Sequence, residues 1–62
     1  MNYYVEVKPK YGDEEEGNLF EYTTIEEAQE KMKECREWNE NNPDNPSVAI
    51  CTYGDKVIDK IE

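Results

Sequence analysis

The spacing of apolar and polar residues changes several times along the chain, and each change predicts an element. Over residues 3–8, Tyr3, Val5 and Val7 fall on one face of an extended segment and Tyr4, Glu6 and Lys8 on the other. This period of two predicts a half-buried strand. Pro9 ends it, because proline has no N–H to give to a ladder. The acidic segment Asp13-Glu14-Glu15-Glu16, bounded by Gly12 and Gly17, reads as a loop. A second short strand is expected at 18–22, making a hairpin with a long, charged tip.

The period then lengthens. Thr24-Ile25-Glu26-Glu27 fits a capping box, with a hydroxyl at the cap and a carboxylate three residues on. Ile25, Ala28, Met32 and Cys35 recur at spacings of three and four on one narrow helix face, with Trp38 at its edge. The run from Asn39 to Pro46 is turn chemistry and ends the helix. Residues 47–53 predict a third strand and residues 56–61 a fourth, joined by a two-residue turn of the Gly-first kind at Gly54-Asp55. The expected fold is α+β in the order β-β-α-β-β. It is a four-stranded antiparallel sheet with one helix packed on one face, in a single domain spanning 1–62.

The turn at Gly54-Asp55 sets Thr52 against Val57, Ile50 against Asp59 and Val48 against Ile61 in a regular ladder. One helix covers one face of a sheet, and the Val48/Ile50/Val57/Ile61 face is the one assigned to it. Tyr4, Cys51, Tyr53 and Ile58 then form the open face and an alternative surface for a partner. The bland reading of that face is scattered Tyr and Ile on a solvated sheet.

Composition narrows the chemistry. The chain has 62 residues and an apolar share of 35%, against about 45–50% for globular chains. Such a chain builds a thin core and has little left for an enclosed substrate pocket. There is no His, Ser47 is the sole serine, and no Gly-rich segment could cradle phosphate. Gly12 and Gly17 flank acids, and the spacing does not match a calcium loop. No enzymatic activity, cofactor or metal site is expected. Cys35 and Cys51 read as reduced core residues of a cytoplasmic protein. A single disulfide joining helix to sheet and a two-thiolate metal site are the alternatives. The N-terminus turns charged at Glu6, so no export signal is expected, and no apolar run reaches the length of a membrane helix.

Charge alters the picture most. Sixteen acids face seven bases, for a net charge of −9. This is the opposite of the basic footprint that meets phosphate, so direct nucleic-acid binding and anionic membrane are disfavoured. A basic protein surface is the expected partner. Between Tyr11 and Glu30 the chain carries Asp13, Glu14, Glu15, Glu16, Glu21, Glu26, Glu27 and Glu30, with no base. On a helical wheel Glu26, Glu30, Glu34 and Glu37 share the arc opposite the apolar face. Pairs Glu27–Lys31 and Glu30–Lys33 are expected to offset part of the repulsion. Two readings stand: a solvated face that serves solubility, or carboxylates in place of phosphates that occupy a basic nucleic-acid groove. The candidate residues for the second are Asp13, Glu14, Glu15, Glu16, Glu26, Glu27, Glu30, Glu34 and Glu37.

In size, charge, element order and segments such as Thr23-Thr24-Ile25-Glu26-Glu27-Ala28 and Tyr53-Gly54-Asp55-Lys56-Val57-Ile58, the chain resembles the small acidic proteins carried by phages and mobile elements. These include anti-CRISPR and anti-restriction inhibitors. The resemblance implies a DNA-mimicking block on a nuclease or other nucleic-acid-binding enzyme. It carries over no individual residue. The rival expectation is a small interaction domain, monomer or homodimer, that docks through its open sheet face.

Overall fold

The structure is a computed structural model and describes residues 1–12 and 17–62. Its elements follow in the expected order: β1 (Tyr3–Pro9), β2 (Asn18–Tyr22), α1 (Ile25–Asn41), β3 (Ser47–Tyr53) and β4 (Lys56–Ile61). The strands form one antiparallel sheet in the order β2-β1-β3-β4. Strands β2 and β3 both run antiparallel to β1 and are therefore parallel to each other. The helix between them is a crossover that passes over β1, the connection a pair of parallel strands needs.

The helix starts where its cap chemistry directs. The Thr24 hydroxyl oxygen accepts the Glu27 backbone N–H at 3.3 Å, and the same hydroxyl donates to Glu27 Oε1 at 3.1 Å. Glu26 and Glu27 in the first turn suit the positive end of the helix dipole. The helix runs to Asn41, two residues beyond the start of the segment expected to end it. Asn42 caps it by donating from Nδ2 to the Trp38 carbonyl at 2.9 Å, and Pro43 follows. Asn39, the first residue of that segment, turns inward. Its side chain accepts the Ser47 N–H at 2.7 Å and donates to the Ser47 carbonyl at 2.9 Å. This two-point contact fixes the end of α1 against the first residue of β3.

The core is small. Val5, Ala28, Met32, Cys35, Ala49 and Cys51 are buried, with Tyr3, Val7, Tyr22 and Ile61 packed around them. The helix contributes Ala28, Met32 and Cys35, three members of the periodic face read from the sequence, while Ile25 lies half-buried at its start. Opposite them stand Val5 of β1 and Ala49 and Cys51 of β3. The small side chains of Ala28, Ala49 and Cys51 leave the space between the layers that Met32 fills.

The helix therefore covers the sheet face opposite to the one assigned from sequence. Val48 and Ile50 are in register with Lys8 and Glu6 of β1, whereas Ala49 and Cys51 are in register with Val7 and Val5. The helix sits on the Val5/Val7 side, so Cys51 is buried and cannot belong to an open partner surface. The faces of β3 follow from its regular pairing with β1, and a β-bulge in β4 breaks up the expected Val48/Ile50/Val57/Ile61 group. Thr52 pairs with Val57 as the turn dictates, but Cys51 then pairs with Asp59, Ile50 with Lys60 and Ala49 with Ile61. Ile58 is the extra residue. One inserted residue reverses the faces of everything beyond it. Ile61 thus joins the core, and Val57, 57% exposed, does not.

The bulge also turns Asp59 toward the helix. Arg36 donates to it twice, Nη1 to Oδ2 at 2.8 Å and Nη2 to Oδ1 at 2.7 Å. This fork ties α1 to edge strand β4 and holds the Asp59 carboxyl below its usual pKa, while lifting that of Arg36. At the turn, Gly54 has φ +60° and is the only described residue with a positive φ. A positive angle at the first central position alone is that of a type II′ turn, which favours glycine there.

Candidate protein-binding surfaces

Two surfaces stand out, on opposite sides of the molecule. The first is the outward arc of α1. Glu26, Glu27, Glu30, Glu34 and Glu37 are all exposed, and the helix bases Lys31, Lys33 and Arg36 flank the arc without entering it. At about 1.5 Å per residue, Glu26 to Glu37 spans about 16 Å. Five carboxylates over that length average roughly one per 3–4 Å, close to the ~3.4 Å axial spacing of phosphates along one DNA strand. Glu27 also accepts from the Thr23 hydroxyl at 3.3 Å, which orients its carboxylate at the first turn.

Two of the flanking bases are engaged, Lys31 by a member of the arc and by Phe20, and Arg36 by Asp59. Lys31 lies 3.6 Å from Glu34, and its ammonium sits 4.2 Å from the centre of the Phe20 ring. Arg36 is held by Asp59. The expected Glu27–Lys31 and Glu30–Lys33 pairs are absent among the described residues; Lys31 leans toward Glu34 and Phe20 instead of Glu27. Tyr22, Glu26, Glu27, Glu30, Lys31 and Glu34 line a shallow depression between α1 and the edge of the sheet. Burial raises the pKa of Tyr22 there. Asp13, Glu14, Glu15 and Glu16, the remaining acidic candidates, lie outside the described residues.

The second surface is the sheet face away from the helix. Of the residues expected there, Tyr4 is present and half-buried, and its hydroxyl donates to Glu21 at 2.9 Å. Asn2 donates to the same Glu21 oxygen at 2.8 Å. The Asn2 and Tyr4 hydrogen bonds lower the pKa of Glu21, and the Glu21 contact raises that of Tyr4. Ile58 is 39% exposed at the bulge. Tyr53, like Cys51, belongs to the helix side, where it stacks on Tyr3 with ring centres 4.5 Å apart. Val48 and Ile50 take the places assigned to Cys51 and Tyr53 and line a depression with Glu6, Lys8, Lys10 and Lys60. The alternation of Tyr3-Tyr4-Val5-Glu6-Val7-Lys8 was the available signal for this arrangement, because a central strand sets the faces of its neighbours.

Neither cysteine offers chemistry. Cys35 and Cys51 are free, buried thiols, and desolvation raises the pKa of each, so the reactive thiolate is disfavoured. Among the described residues no group of three or more His, Cys, Asp or Glu is placed to hold a metal ion. Among the described residues no helix is long and apolar enough to cross a membrane. No family model, curated protein or solved structure matches the chain.

Proposed function

We propose that the chain is a non-catalytic binding protein whose acidic helix face occupies the basic groove of a nucleic-acid-binding protein. One observation carries the reading: the outward arc of α1 holds Glu26, Glu27, Glu30, Glu34 and Glu37, at an average axial spacing near that of one DNA strand, and the one base in contact with it is Lys31, at its edge beside Glu34. A surface kept only for solubility does not need its charges segregated by sign, and interspersed signs avoid the repulsion that segregation incurs. Here the three helix bases stand at the flanks. The sequence adds four more acids at 13–16. A basic groove shaped for phosphate would attract such a surface at long range and speed encounter. The resemblance to small phage-borne inhibitors agrees with this reading, and the class of partner it suggests is a nuclease or related enzyme of a host defence.

Capture from host lysate tests it. Wild-type protein should enrich a basic nucleic-acid-binding protein, and duplex DNA or RNA should displace that partner because both fill one site. Reversal of Glu26, Glu30 and Glu34 to Lys, together with Asp13 and Glu15 to Lys, should abolish capture while leaving the far-UV circular dichroism of the domain unchanged. A partner that binds nucleic acid and this protein at the same time would refute the reading.

A further inference from the structure

We propose that the helix-free sheet face pairs with the same face of a second copy of the chain, giving a four-layer dimer with its two helices outside. The floor of the face is apolar: Val48 and Ile50 lie on β3, with Val57 and Leu19 exposed on the edge strands. Its rim is what singles it out. Lys8, Lys10 and Lys60 stand there with Glu6 and Glu62, and Glu21 lies on the same face beside Tyr4, three bases to three acids in a chain with sixteen acids to seven bases. Lys8 lies 3.2 Å from Glu6, and Lys60 lies 2.8 Å from Glu62. One base and one acid thus sit side by side on β1 and again at the end of β4. Two acidic molecules repel each other across most approaches. This face is the one on which a second copy meets both signs of charge and can place lysine opposite glutamate.

Other routes to self-association are weaker. The outward face of α1 would set carboxylate against carboxylate. Of the two sheet edges, β4 is bulged and carries Lys56 and Lys60, and β2 has only five residues. Short strands, bulges and edge lysines all discourage edge pairing. Stacked sheets lie about 10 Å apart, which leaves the acidic helices free on both outer surfaces. The pairing therefore rests on residues separate from those of the proposed acidic interface, and either can fail without the other.

The size of the face sets the strength. Four strands at about 4.8 Å and about six residues at ~3.3 Å each give roughly 400 Å² in flat projection. Two copies then bury about 800 Å² in flat projection, somewhat more with side-chain relief, which is the size of a weak, transient interface. The dimer should be reversible, with a dissociation constant in the micromolar range or above.

Sedimentation equilibrium of the full chain, from low micromolar to about 1 mM, reads this directly. The wild-type mass should rise from 7.3 kDa toward twice that value. Ile50→Lys, at the centre of the floor, should weaken association by about tenfold or more. Because Ile50→Lys could also weaken the fold, a charge swap provides the second arm. Lys8→Glu/Lys60→Glu and Glu6→Lys/Glu62→Lys should each stay monomeric alone and associate when mixed in equal amounts. A wild-type mass of 7.3 kDa throughout would overturn the proposal. So would association that survives both Ile50→Lys and the separate charge variants, or a mixture that fails to associate.

Discussion

Adjacent residues on β3 provide the sharpest test of how the helix and sheet are packed. Ala49 is 4% exposed beneath α1, among Val5, Ala28, Met32, Cys35 and Cys51. Val48, one residue earlier, points to the helix-free face, half-buried and in register with Lys8. An aspartate at position 49 would bury a charge with no partner in the core cluster. Even after a pKa shift the cost is several kcal/mol, and a domain of this size has a net stability of about 3–5 kcal/mol. Ala49→Asp should therefore be largely unfolded at 25 °C. An aspartate at position 48 loses a β-branched side chain and gains a neighbouring lysine, for a net cost of about 1 kcal/mol. Val48→Asp should still unfold cooperatively, at a modestly lower urea midpoint. Far-UV circular dichroism during urea denaturation distinguishes the two. If Val48→Asp unfolds and Ala49→Asp melts near the wild type, the helix lies on the other face of the sheet.

Four further outcomes follow from named contacts. Arg36→Ala removes both hydrogen bonds to Asp59, and for an exposed pair of good geometry the urea midpoint should fall by the equivalent of about 1 kcal/mol. Asp59 has a lowered pKa in the folded state, so its contribution is present above the unfolded carboxylate pKa of about 3.9 and is lost as pH falls through the lower folded value. Acid titration of stability should accordingly be shallower in Arg36→Ala than in the wild type. Thr24→Ala removes the N-cap and should cost about 1 kcal/mol, read in the same denaturation experiment; no measurable loss would mean that Thr23 can take over the cap. Cys35 and Cys51 should react with a thiol reagent far more slowly in the native protein than in urea, with both sites labelled once unfolded; rapid native labelling would contradict their burial.

Much of the fold was legible from local pattern. The strand limits, except that β1 takes in Pro9 opposite Ser47, the Thr24 cap, the Ala28/Met32/Cys35 face and the Gly54 turn each rest on a few adjacent residues, and each appears in the structure. The sheet face under the helix was not legible from the second hairpin alone. Residues 56–61 read equally well as a regular ladder, and nothing local to Ile58 marks the inserted residue. What decides the register is non-local. Tyr3, Val5 and Val7 need apolar partners on β3, and Tyr53, Cys51 and Ala49 supply them, while Arg36 meets Asp59 only if the bulge forms. Small side chains at 49 and 51 look poor as core until a helix is brought close to them. For the acidic surface, helical periodicity alone placed Glu26, Glu30, Glu34 and Glu37 together. The partners of the flanking bases depend on Phe20 and Asp59, both distant in sequence.

The central claim is that the carboxylates of α1 make the contact with a basic partner. Its most direct test is the affinity for the captured partner as a function of salt, for the wild type and for Glu26→Gln/Glu30→Gln/Glu34→Gln/Glu37→Gln. Glutamine keeps the shape of the surface and removes its charge. The wild-type dissociation constant should rise steeply between low and physiological salt, and the glutamine variant should bind at least about tenfold more weakly at low salt, with a flatter salt dependence. Equal affinity and equal salt response in the two proteins would contradict the account.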